Sequence, residues 1–206
     1  MIYEIRSYIV QAGRVPEYEK HFEEALPNRM QYSELAGFWH TELGPLNQVV
    51  HIWPYEDLED REEKRAKAAQ GGQWPPKGKE LLVSMTSEIF VAAPFSPVLG
   101  GGQKLGNIYE MRIYQYRPGT IPSVMERWEE ALKGGRLSLS PLAACMYSEI
   151  GGLNVWVHLW PYTSMKERAR VRKESHELPT WPPKTREFMI SQQNKILIPA
   201  SFSPMA

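Results

Sequence analysis

Glu4, Arg6 and Tyr8 alternate along IYEIRSY, and the same residue types return as Glu110, Arg112 and Tyr114 along IYEMRIY. A second pair of segments, QVVHIWPY and NVWVHLWPY, places His51 beside Trp53 and His158 beside Trp160, again two residues apart. Residues two apart on a strand point to one face, so each segment gathers its ionisable and aromatic side chains on one side of a sheet. Together these groups can orient an anionic or phenolic small molecule. Arginine is the charge partner, histidine is a base near neutral pH, and the aromatic rings supply contact area. On that reading His51 or His40 is the base, and Arg6 or Arg112 stabilises an enolate or carboxylate. Glu4, Tyr8, Glu42, Trp53, Arg112, Tyr114, Tyr147, His158 and Trp160 complete the ligand-binding set. The same residues also suit a plainer role, as ion pairs and hydrogen-bonded fillers in a polar layer.

Other chemistries lack their patterns. His40, Glu42 and His51 form a conceivable two-histidine, one-carboxylate set, but no HxH, HExxH or CxxC spacing selects it, and no metal is assigned. No motif picks an axial haem ligand among His21, His40, His51, His158 and His176, and no cofactor is expected. The GGGQKLG run follows a Pro-containing segment and precedes a strand, unlike a phosphate-binding loop, and no GxSxG elbow occurs. Cys145 sits in the apolar LAACM and reads as a buried thiol, and Trp74 and Trp181, each before Pro-Pro, read as locks on the chain.

The elements that position these residues come from a tandem repeat. IYEIRSY matches IYEMRIY at an offset of 106 residues, Tyr3 to Tyr109; after the first helix the offset is 107, as from His51 to His158 or Trp74 to Trp181. A period this long makes each copy a small domain rather than a solenoid unit. The copies should occupy residues 1–99 and 108–206, joined by a Gly-rich linker over 100–107. Each reads as strand, helix, strand, strand, helix, strand. The helix over about 15–32 carries Tyr18, Phe22, Ala25 and Leu26 on one face, GFWHTEL and QVVHIWPY form a hairpin about Gly44, Pro45 and Asn47, and Asp57 caps the second helix. This is a ferredoxin-like βαββαβ unit.

The block GPLNQVVHIWPY, with its second version GGLNVWVHLWPY, the Trp-Pro-Pro element and the closing FSP resemble the NIPSNAP family over essentially the whole chain. The resemblance implies a dimeric α+β barrel. One tandem chain would supply both halves, making an α+β protein of two ferredoxin-like repeats that form an intramolecular barrel with helices outside. Alternation then puts Tyr3, Ile5, Val50 and Ile52 under the helices and turns the ionisable sets into one central cavity. The function expected is binding of a small aromatic or carbonyl compound there, with cofactor-independent oxygenase or isomerase chemistry as in other barrels of this type. The alternative is a non-catalytic binding or protein-interaction module.

Composition sets the remaining bounds. With 42% hydrophobic and 23% charged residues the chain can bury a core, and 24 Lys+Arg against 24 Asp+Glu leave no net charge to draw nucleic acid or an acidic membrane. A single cysteine, no apolar run near the roughly 20 residues that span a bilayer, and a start that enters a strand directly give the expectation of a cytoplasmic protein. Edge strands and exposed tryptophans needing cover would favour homo-oligomers.

Overall fold

A computed structural model describes all 206 residues. The first half runs β1 (Ile2–Val10), α1 (Val15–Met30), β2 (Gly37–Leu43), β3 (Gln48–Tyr55), α2 (Leu58–Gln70) and β4 (Leu82–Ala92). The second runs β5 (Ile108–Tyr116), α3 (Ile121–Lys133), β6 (Ala144–Ile150), β7 (Val155–Tyr162), α4 (Met165–Ser175) and β8 (Met189–Pro199). Local chemistry accounts for the boundaries. Proline occupies the first turn of both α1 and α3, where its missing N–H costs nothing. The Asp57 and Ser164 side chains accept from the backbone N–H of Asp60 and Glu167 at the starts of α2 and α4. Asn47 and Asn154 turn the two hairpins with φ of 55° and 57°, in the left-handed region that asparagine tolerates better than most residues.

All strand pairs are antiparallel. The order β1-β3-β2-β8-β5-β7-β6-β4 closes on itself, with β2 against β8 and β4 against β6 as seams between the halves. Closure removes the edges that two separate four-stranded sheets would expose. The helices pack outside.

The two sheet faces carry the reverse of what alternation with an assumed helix side predicts. Tyr3, Ile5, Trp39, Val50, Ile52 and Phe90 of the first half join Tyr109, Met111, Met146, Val157, Leu159 and Leu197 of the second in one cluster that fills the barrel. Under α1 lie Tyr8, Phe38, Val49 and Trp53 with Tyr18, Phe22 and Leu26; under α3 lie Tyr114, Cys145, Trp156 and Trp160 with Val124, Trp128 and Leu132. The expected central cavity lined by Glu4, Arg6, His51 and their counterparts is therefore corrected: those residues share a face, and that face lies beneath the helices. The reason is enclosure. A closed barrel shuts its interior from water on every side and takes the set without charged groups, whereas a helix laid on a sheet leaves an open end where guanidinium and carboxylate groups keep partners. Cys145 is fully buried in this outer layer, which pushes its thiol pKa up. Every tryptophan is buried or half-buried, so none needs the cover of a second copy.

Candidate functional site

Each half holds its own pocket between sheet and helices. The first, of about 310 Å³, has Arg6, Tyr8, His51 and Trp53 on its sheet wall, Tyr18, Phe22 and Arg29 from α1, Arg65 from α2, and Trp74, Pro75, Pro76 and Lys79 from the loop that follows. The second, of about 360 Å³, has Glu110, Arg112, Tyr114, His158 and Trp160 on the sheet, Trp128 from α3, Arg136 just beyond it, Arg172 from α4, and the Trp181-Pro182-Pro183 loop. The predicted site residues thus divide. Arg6, Tyr8, His51 and Trp53 meet in one pocket, and Arg112, Tyr114, His158 and Trp160 meet in the other. They do not face one another across a shared space.

Three predicted residues stand apart from both pockets. His40 lies opposite Val49, and its Nδ1 is 2.8 Å from Glu19 on α1, a pairing that raises its pKa. Glu42 is exposed at the end of β2, and Tyr147 is half-buried beside the second aromatic cluster. His51 is buried against Phe22, Phe38 and Tyr8, so His40, Glu42 and His51 do not converge. No three His, Cys, Asp or Glu side chains anywhere in the chain form a metal site.

The histidines carry a defined tautomer. Trp53 Nε1 donates to His51 Nδ1 at 2.7 Å, and Trp160 Nε1 donates to His158 Nδ1 at 2.6 Å. Burial drives both imidazoles well below the usual histidine range, with Arg6 and Arg112 adding to the effect, so each ring is neutral. With Nδ1 accepting, the single ring proton sits on Nε2, and both Nε2 atoms are buried without a partner. His51 and His158 therefore present an N–H donor where the sequence suggested a base.

Glu4 is held behind the first pocket. Its carboxylate accepts from Arg6 at 2.5 Å, Arg61 at 2.7 Å and Ser87 at 2.6 Å, with Arg65 at 3.5 Å. Burial alone would raise its pKa, but the hydrogen bonds from Arg61 and Ser87 and the charges of Arg6 and Arg65 outweigh it and hold the carboxyl at about 2. Glu110 repeats this with Arg168 at 2.7 Å and Asn194 at 3.1 Å. Neither acid is free to act as a base.

The sequence reading missed Arg29 and Arg136. Arg29 is 1% exposed, donates to the Tyr55 hydroxyl at 2.7 Å, and lies 4.9 Å from the Trp53 ring centre and 5.8 Å from that of Trp74. Arg136 is 3% exposed, donates to Ser140 Oγ at 2.9 Å, and lies 3.9 Å from the Trp160 ring and 5.1 Å from Trp181. Neither has a carboxylate within ion-pair distance, and burial lowers both pKa values. The backbones differ: Arg29 is in the last turn of α1, whereas α3 stops at Lys133 and Arg136 sits in a separate 3₁₀ turn. A signal was present in the sequence, because Arg29 falls on the Tyr18, Phe22, Leu26 stripe, where a charge is out of place. Trp74 and Trp181, read there as chain locks, line the pockets edge-on to Phe22 and Trp128.

A closed barrel of two ferredoxin-like halves with helices outside is the dimeric α+β barrel architecture. Two solved structures share it: a candidate monooxygenase from Lactobacillus acidophilus NCFM, with a TM-score of 0.67 at 11% identity over 96% of this chain and 93% of that one, and an anthrone oxidase-like protein, with a TM-score of 0.60 at 10% identity over 100% and 94%. Within this architecture the chain belongs to the NIPSNAP family, whose model matches residues 3–97 and 109–204. It is 34% identical to Protein NipSnap homolog 3A of Homo sapiens, over 100% of this chain and 86% of the human one. It is 30% identical to Protein NipSnap homolog of Dictyostelium discoideum, over 96% and 87%. No helix is long and apolar enough to cross a membrane.

Proposed function

We propose that each half binds a small anionic compound with an aromatic or carbonyl-bearing body. Its negative group would meet the buried arginine, and an oxygen would meet the imidazole Nε2–H. The observation that carries this is the pair Arg29 and Arg136: buried guanidinium groups without a counter-ion, brought over equivalent tryptophan pairs by different backbones. A buried unpaired cation is costly, and an apolar residue would pack such a site better if packing were the whole role. A ligand anion supplies the missing charge. The histidine and arginine groups offered are donors, and the nearby carboxylates are occupied. The site therefore suits an enolate, phenolate or carboxylate that arrives already ionised. An oxygenase reaction without a cofactor needs such an electron-rich anion, which is the form in which the activities named for the fold neighbours could extend to this chain.

The test is calorimetric titration with 3-phenylpropionate and its neutral amide. The acid should bind and the amide should not. The double variant Arg29→Met/Arg136→Met should weaken the acid by roughly ten- to a hundred-fold, the range for hydrogen bonds to charged groups. Equal binding of acid and amide, or unchanged affinity in a variant that still melts cooperatively, overturns the proposal.

A further inference from the structure

The two pockets differ in the donors they leave unused. In the first, the Arg6 Nε and Nη1 groups are engaged: Nε donates to the Tyr8 hydroxyl at 2.5 Å and Nη1 to Glu4 at 2.5 Å. His51 Nε2 is left as the buried wall donor without a partner. In the second, Arg112 Nη1 stands 3.7 Å from Glu110, and Arg112 Nε, Arg136 Nε and His158 Nε2 are all buried without a hydrogen-bond partner. Shape changes in the same sense. The second cavity is the larger, about 360 against 310 Å³, with Val124 at the position of Tyr18 and Trp128 at that of Phe22, and Gln192 in place of Met85 makes its rim more polar.

Each buried unsatisfied donor carries a desolvation cost that a ligand oxygen can recover. A single carboxylate satisfies what the first pocket offers, with Arg29 and His51 Nε2 as its partners, and leaves donors empty in the second. We infer that the second-half pocket is specific for a ligand with two adjacent acceptor groups, a 2-oxo acid or the enolate of one, while the first takes a lone carboxylate on an apolar body. One chain then carries two binding sites of different specificity. This rests on the reading of both pockets as anion sites. Arg136 takes the carboxylate, and Arg112 Nε with His158 Nε2 takes the second oxygen. A site built to hydrogen-bond a group discriminates strongly against the analogue lacking it.

The test compares phenylpyruvate with 3-phenylpropionate by calorimetry on the full chain and on single variants. Phenylpyruvate should bind at least ten-fold tighter. That preference should vanish in Arg136→Met, where only the first pocket still holds a carboxylate, and persist in Arg29→Met, where only the second does. Should Arg136→Met fail to fold, Arg112→Met serves, because Arg112 is partly exposed and Glu110 keeps Arg168 and Asn194 as partners; it too should abolish the preference. Equal affinity for the two compounds, or equal loss of the preference in the Arg29 and Arg136 variants, overturns the division of labour while leaving the anion sites standing. No binding of either compound overturns both.

Discussion

Glu4→Gln should destabilise the protein by about 3–5 kcal/mol, the range for removing one partner of a buried ionic cluster. The glutamine fills the same space but leaves Arg6, Arg61 and Arg65 without the charge they converge on, at a carboxylate position that solvent does not reach although it reaches the arginines in part. The pH dependence follows with a definite sign. A folded-state value of about 2 lies below the ordinary 4.5, so the carboxylate contributes stability above pH 4.5 and loses it as pH falls toward 2. The difference corresponds to about 3 kcal/mol. Denaturant unfolding of parent and variant at pH 7 and pH 3 should show a large gap that shrinks at the lower pH. A gap below 1 kcal/mol at pH 7, or one that widens on acidification, would remove the charge cluster from the account of stability. Glu110→Gln should cost less, since its carboxylate accepts from Arg168 and Asn194 while Arg112 and Arg172 stay beyond 3.5 Å.

Trp39→Ala should cost about 3–5 kcal/mol, as expected for truncating a fully buried tryptophan. Its ring has no exposure and lies edge-on to Tyr109 of the other half at 5.6 Å between centres. The barrel interior is made jointly by both repeats, so the loss should lower the melting of the whole chain in a single calorimetric transition. Two separate transitions, with only the first-half one moved, would show that the halves have independent cores.

The architecture was legible because the repeat doubles every local signal. Hairpin asparagines, helix caps and alternation occur twice, and IYEIRSY and QVVHIWPY appear as strands at the expected residues. Alternation also sorted side chains correctly into sets: Glu4, Arg6 and Tyr8 do share a face with His51 and Trp53. What it could not supply was which face meets the helices. Both faces are rich in large apolar side chains, Tyr3 and Ile5 on one and Tyr8 and Trp53 on the other, and the choice is made by barrel closure, a long-range event. The same inversion split one imagined cavity into two pockets. The role of His51 was hidden for another reason. A base and a donor are the same residue in a sequence, and only the Trp53 indole, folded back onto Nδ1, decides between them.

The two tyrosines that begin the halves also tie down where each half ends. Tyr3 accepts from the Leu99 backbone N–H at 3.0 Å; Tyr109 donates to the Met205 carbonyl at 2.9 Å and accepts from Leu105 N–H at 3.2 Å, where the chain crosses from the first half into the second. By the pseudo-two-fold relation, Ala206 leaves the second half as Leu99 leaves the first, and Met1 enters as Asn107 does. The two crossings between the halves are thus equivalent in the fold. A circular permutant with Ala206 joined to Met1 through a connector as long as residues 98–107, and opened within that stretch, should trace the same barrel and melt within a few degrees of the parent.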